Sequence, residues 1–258
     1  MDILRKELSA IYHAQNLDTA ILSGAVVDNI VETMRHAVAF DNNCRVVTDA
    51  AADSCCIIAG SFASVMGLQQ SSEILCKSFS SSDEDLIYAR MHPEDLADKR
   101  MLEYEFFRHI DSLPAPSRLK YKATCRIRMR NRSGDYIHVD NSTQILRLAP
   151  HGGFWLILCT YAISPVQEAT HGIEPRIMDM STGDSLRVQL NARRANILSA
   201  REKQILALIG QGKASKQIAD SLALSIHTIN RHRQNILQKL SVSNSTEAVI
   251  AANAMKLL

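Results

Sequence analysis

The segment Ile226–Leu240 sets Asn230, Arg231, Gln234 and Gln238 three, four, seven and eleven residues after His227. On a helix of about 3.6 residues per turn, that spacing puts all five on one face. These side chains can read base edges: Arg pairs bidentately with guanine, Asn and Gln with adenine. Thr228 and Arg233 flank that face, and these two together with Lys216 and Lys239 are expected to contact phosphates. Phosphate contacts fix position and register but carry no sequence information. Ile229, Ile236 and Leu240 fall on the other side and predict a buried stripe.

Other chemistry is harder to assemble. Gly212-Lys213-Ala214-Ser215 echoes a phosphate-binding loop, but Ala207 stands where the first Gly is required and Ala214 where Ser or Thr is. No strand is predicted before it either. Neither a Gly-x-Ser-x-Gly nor a His-Glu-x-x-His occurs. Glu94 and Asp95 follow His92-Pro93 and read as dipole-stabilising acids at a helix start. The cysteines Cys44, Cys55, Cys56, Cys76, Cys125 and Cys159 contain no Cys-x-x-Cys pair. They read as small buried hydrophobes of a reducing compartment, with neither a metal nor a redox site. No catalytic residue, metal or cofactor is expected, and the chain does not read as an enzyme.

Charge supports an anionic partner. The 258 residues carry 29 Lys+Arg and 27 Asp+Glu, a net +2. Residues 193–258 alone hold ten basic and three acidic residues, a net +7, which leaves −5 for residues 1–192. A basic end on an acidic body suits nucleic acid. The charged start Met1-Asp2-Ile3-Leu4-Arg5-Lys6 does not resemble a secretory signal, and the most apolar run, Phe154 to Ile163, is far shorter than the ~20 residues of a membrane helix. A soluble, cytoplasmic chain without a membrane partner is expected.

The elements that must position the polar face are four short helices in 196–258. Ser199-Ala200-Arg201-Glu202 is a capping box. Ile205, Leu206, Leu208 and Ile209 form a buried stripe, and Gly212 ends the helix in the left-handed region. Ser215 starts a second helix with Ile218, Ala219 and Leu222 inward. Leu224-Ser225 leads into the long helix to Leu240, and Asn244-Ser245-Thr246-Glu247 caps a fourth. A short helix, a turn of three residues and a longer helix make a helix-turn-helix, whose second helix enters the major groove.

Upstream, residues 3–40 read as helical, with Ile30, Val31, Met34, Ala37 and Val38 in one apolar stripe. That stripe is longer than one domain edge needs, so the amino-terminal helix is expected to contribute to dimerisation. Arg45–Thr48 and Cys55–Ile58 read as strands, and 93–110 as a helix. Tyr121, Ala123, Cys125, Ile127 and Met129 alternate with polar residues, as in an antiparallel strand with one wet face. Tyr136–Leu148 is the return strand, and Phe154–Ala162 a central strand buried on both faces. Pro165, Gly172, Pro175 and Gly183 punctuate a polar stretch read as linker, with a short helix around 184–194.

Leu198-Ser199-Ala200-Arg201-Glu202-Lys203-Gln204-Ile205-Leu206, Gly210 to Ala219, and Leu224 to Leu240 together resemble the LuxR/FixJ-type DNA-binding domain. The resemblance covers about a quarter of the chain and implies sequence-specific binding of double-stranded DNA as a homodimer. It places the last helix, Thr246–Leu257, at or near the dimer contact. Asn230 stands where that family often has Lys, so its base preference does not carry over. His232 matches a frequent family His and reads as structural. The middle region resembles a PAS domain through Val46-Val47-Thr48-Asp49, Cys56-Ile57-Ile58-Ala59, Phe62 to Leu68, His92-Pro93-Glu94-Asp95-Leu96 and the three strands from Tyr121 to Ala162. That resemblance implies a sensory or dimerisation module able to take a small-molecule ligand. Asn43-Cys44 is misplaced for a flavin photoreceptor motif, and His109, the nearest candidate haem ligand, reads as structural.

The expected fold class is α+β: a PAS-like antiparallel sheet with helices, then an all-α four-helix LuxR-type helix-turn-helix domain. The expected boundaries are an N-terminal helical segment at 1–43, the PAS-like domain at 44–165, a linker at 166–195 and the DNA-binding domain at 196–258. A response-regulator receiver and an acyl-homoserine-lactone sensor do not fit residues 1–165. The competing function is a signalling adaptor that uses the helical tail as a docking surface without binding DNA.

Overall fold

Among the described residues an antiparallel sheet of eight strands organises the amino-terminal part of the chain, in the order β3-β2-β1-β6-β5-β4-β7-β8. The strands are β1 (Cys44–Asp49), β2 (Ser54–Ala59), β3 (Leu75–Phe79), β4 (Tyr121–Arg130), β5 (Tyr136–Leu148), β6 (Phe154–Ile163), β7 (Arg176–Asp179) and β8 (Ser185–Arg187). The computed structural model describes residues 3–18, 22–71, 73–168, 172–190, 198–240, 242–254 and 257–258. It divides into two compact units, Ser9–Val188 and Gln189–Leu258 with Met1–Leu8. The fold class is α+β, an antiparallel sheet with helices followed by an all-helical unit.

The strand calculus of the sequence works where alternation is long. β4 buries Ala123, Cys125, Ile127 and Met129 while the residues between them stay half-buried. At the β4–β5 turn Gly134 takes φ +98°, a conformation that a Cβ disfavours. β6 lies between β1 and β5, and its first six residues are all buried.

Helices cover both faces of the sheet. On one face α2 (Gly24–Asp41) lays Ile30, Val31, Met34 and Val38 on Val47, Cys56, Ile58 and Leu158. The apolar stripe expected to serve dimerisation is therefore used within the chain. On the opposite face α5 (Pro93–Asp111) buries Met101, Leu102, Phe106, Phe107 and Ile110. The His92 imidazole caps α5, accepting from the Glu94 N–H at 3.3 Å, with Pro93 in the first turn. Asp95 does not cap; it clamps α5 to β4 by accepting from Arg128 Nε at 3.0 Å, Nη2 at 2.6 Å and backbone N–H at 2.7 Å. Three short helices complete the connections: α3 (Ser61–Val65), α4 (Asp85–Tyr88) and α6 (Ala115–Arg118).

Three expectations need correction. The helical reading of 3–40 divides into α1 (Ile3–Ala14) and α2. Asn16 takes φ +49° after α1, while Leu17 and Leu22 pack with Trp155. The stretch read as linker contains β7 and β8, and β7 pairs with the outer edge of β4 from Tyr121↔Asp179 to Thr124↔Arg176. An unpaired edge there would expose a row of backbone donors and acceptors. The short helix expected around 184–194 is strand at Ser185–Arg187, and its part at 191–194 lies outside the described residues.

The second unit holds α7 (Ala200–Gly210), α8 (Ser215–Leu222), α9 (Ile226–Leu240) and α10 (Ser245–Ala254). Leu198, Ile205, Leu206, Ile218, Ala219, Ile229, Ile236, Leu240, Ala248 and Ala252 form its core. Among the described residues no helix is long and apolar enough to cross a membrane.

Candidate nucleic-acid interface

Each helix of the second unit begins where a side chain satisfies its free N–H groups. Ser199 Oγ accepts from the Glu202 N–H at 3.3 Å, and Glu202 Oε2 accepts from the Ser199 N–H at 2.8 Å. At α8 only the reverse half exists, Gln217 Oε1 accepting from the Ala214 N–H at 2.9 Å. Ser225 Oγ accepts from the Thr228 N–H at 3.0 Å and starts α9. Asn244 Oδ1 accepts from the Glu247 N–H at 2.9 Å and starts α10. Such caps contribute about 1 kcal/mol each.

The turn between α8 and α9 is Ala223-Leu224-Ser225. Ala223 sits in the left-handed region at φ +53°, at a cost of about 1 kcal/mol for a residue with a Cβ. Leu224 N–H closes the turn on the Ala219 carbonyl at 3.0 Å. From there α9 buries Ile229, Ile236 and Leu240. His227, Asn230, Arg231, Gln234 and Gln238 are all exposed, and helical geometry sets them opposite the buried stripe.

The expected phosphate contacts divide. Lys216 is exposed and Thr228 half-buried, its hydroxyl 2.8 Å from Ser225 Oγ. Arg233 and Lys239 are half-buried and bond within the unit, the Lys239 side chain keeping 42% of its surface exposed. Arg233 donates from Nη1 to Ser215 Oγ and from Nη2 to Ser245 Oγ, each at 2.8 Å, so it ties the start of α8 to the start of α10. Lys239 donates to Glu202 Oε2 at 2.7 Å and ties the end of α9 to the start of α7. Burial works to raise the Glu202 pKa, but the bonds from Lys239 and from the Ser199 N–H outweigh it and hold the carboxyl below its usual range. Sequence reading also missed Arg201, whose Nη2 caps the end of α8 at the Leu222 carbonyl, 3.1 Å away. These partners lie 12 to 37 residues apart in sequence, beyond any helical periodicity. His232 is half-buried, and its Nδ1 has no hydrogen-bond partner among the described residues.

The first unit encloses a polar network. Lys99 is fully buried, its Nζ 2.5 Å from Glu103 Oε1 and over the rings of Tyr88 at 5.0 Å and Tyr161 at 5.8 Å. Thr143 Oγ1 donates to Glu103 at 3.2 Å, and the Tyr161 hydroxyl donates to Glu84. Burial opposes the Lys99 charge, but Glu103 and Glu84 outweigh it and raise its pKa. Burial also raises the Glu84 pKa, with Lys99 pulling the other way. His109 stacks edge-on against Tyr121, ring centroids 5.2 Å apart. Among the described residues no group of three or more His, Cys, Asp or Glu is arranged to hold a metal ion.

Residues 196–252 match the family described as bacterial regulatory proteins, luxR family. Residues 196–252 thus form a LuxR-type helix-turn-helix domain. Over 60 residues the chain is 47% identical to the transcriptional regulatory protein UhpA of Salmonella typhimurium, covering 23% of this chain and 31% of that one. Over 63 residues it is 43% identical to the transcriptional regulatory protein LiaR of Bacillus subtilis, covering 24% and 30%. The chain spans about a third of the length of these relatives. Among solved structures, a Vibrio cholerae VqmA dimer described as a LuxR-type receptor aligns over 87% of this chain and 88% of that one, at 12% identity and a TM-score of 0.30. Superposition at that level transfers neither architecture nor ligand.

Proposed function

We propose that this chain is a sequence-specific, DNA-binding transcriptional regulator. The observation that carries the reading is the exposed polar face of α9, set on the second helix of a capped and internally braced helix-turn-helix. His227, Asn230, Arg231, Gln234 and Gln238 read base edges in the major groove. Lys216 and Thr228 contact the backbone, and Arg233 and Lys239 hold the helices that present the reading face. The chain acts as a homodimer through α10, whose Thr246, Ile250 and Asn253 share one exposed face, with Ile250 64% exposed. The regulatory names of the matched relatives support this reading over a docking adaptor and over an enzyme.

The first unit is a PAS-like module that senses a signal or mediates dimerisation. The adjacency β2-β1-β6-β5-β4 supports this, as do the short helices between β2 and β4. The Lys99–Glu103–Glu84–Tyr161 network gives its interior the hydrogen-bonding groups that a small polar ligand would exchange with.

Footprinting of fragmented genomic DNA with the full chain tests the reading. Reproducible protected sites that survive excess random competitor are expected. Protection that disappears into the competitor, or none at low ionic strength, overturns it.

A further inference from the structure

Two cysteines on the face of the sheet that α2 covers meet at its edge. Cys56 on β2 and Cys76 on β3 bring their sulfurs to 3.9 Å. The register pairs Cys56 with Ser78 and Ile58 with Cys76, so the two thiols are diagonal neighbours on one face. Cys55, next along β2, points to the opposite face, where its Sγ lies 3.8 Å from the Asp83 carbonyl. Among the described residues β3 is the terminal strand of the sheet, with β2 as its one neighbour. A strand held along one edge can yield to bring two sulfurs from contact to the bonding distance of about 2.05 Å.

The pair is also asymmetric. Cys76 is exposed, whereas Cys56 is buried beneath α2 in the cluster of Val38, Val47, Ile58 and Leu158. Burial pushes the Cys56 thiol above its usual pKa. The first attack on an oxidant therefore belongs to Cys76, and Cys56 is placed to resolve it at short range.

We propose that Cys56 and Cys76 form a peroxide-oxidisable thiol pair that closes reversibly to an intrachain disulfide. The Cys76 thiolate attacks a peroxide oxygen; the S–O bond forms, the O–O bond breaks, and hydroxide leaves and is protonated to water. The Cys56 thiol then gives up its proton as its sulfur attacks the Cys76 sulfenic sulfur; the S–S bond forms, the S–O bond breaks, and the leaving hydroxide takes that proton to become a second water. Two thiols lose two hydrogens and two electrons, and one hydrogen peroxide is reduced to two waters. The bond would fasten the edge strand to the cluster on which α2 is seated, independently of whether the chain binds DNA.

The test treats the folded full chain with one equivalent of hydrogen peroxide, alkylates the remaining thiols and digests with trypsin and a glutamate-specific protease. Expected are a peptide pair joined through Cys56 and Cys76, lighter by two hydrogens, its loss on addition of dithiothreitol, and slower hydrogen exchange of the β3 amides. Cys76→Ser, at an exposed position, abolishes the link. Cys56→Ala leaves Cys76 as a sulfenic acid that dimedone traps, and Cys55→Ser leaves the link intact. The proposal is overturned by a link through Cys55, by a Cys76–Cys76 link between chains, by over-oxidised Cys76 beside unmodified Cys56, or by no reaction of either thiol.

Discussion

Arg231 and Arg233 stand two positions apart on α9 and face opposite duties. Arg231 is exposed on the face carrying Asn230 and Gln234, while Arg233 spans Ser215 and Ser245. Arg231→Ala should cost about 1–3 kcal/mol at one base pair and leave thermal unfolding nearly unchanged. Arg233→Met should lower the stability of the helical unit by about 2 kcal/mol, through lost charge-assisted bonds. It should weaken all duplexes alike, which calorimetric unfolding and binding isotherms on two unrelated sequences would check. Periodicity made Arg231 legible, because an outward position follows from the spacing of Ile229, Ile236 and Leu240. It could not foresee Arg233, because the serines it joins come together only when three helices pack.

Among the elements, α8, its turn and α9 form the part whose geometry matters most. Ala223 holds a left-handed conformation there, so Ala223→Gly should raise stability by about 1 kcal/mol, read as a higher melting temperature. Ser225→Ala should lower it by about 1 kcal/mol, and Ser225→Asp should restore it. The Glu202–Lys239 pair gives a pH dependence. Because Glu202 is held below its unfolded value, its contribution is complete above about pH 4.3 and is lost as pH falls through the folded value. Melting temperatures across the acid range should show a steeper decline in the wild type than in Glu202→Gln. The helices of this unit were legible because polar caps and apolar stripes repeat over a full turn or more. β7 and β8 were not, since strands of four and three residues among Pro175 and Gly183 show no measurable alternation. Their identity as strands comes from the open edge of β4.

At the scale of the whole molecule, the charge is uneven in a way that the net +2 conceals. A basic carboxy-terminal segment should give duplex binding that weakens steeply with salt, and Lys216→Ala should flatten the slope of log K against log salt by about one. Residues 1–192, at −5, carry the opposite sign, which disfavours contact with phosphates. The most direct measurement takes a duplex recovered by footprinting and replaces its base pairs one at a time, with affinities for the wild type and Arg231→Ala. The wild type should lose affinity at several positions, and the variant should cease to discriminate at one of them while keeping the rest. If Arg231→Ala instead weakens every duplex equally and leaves the pattern of discrimination unchanged, α9 does not read bases through its exposed face.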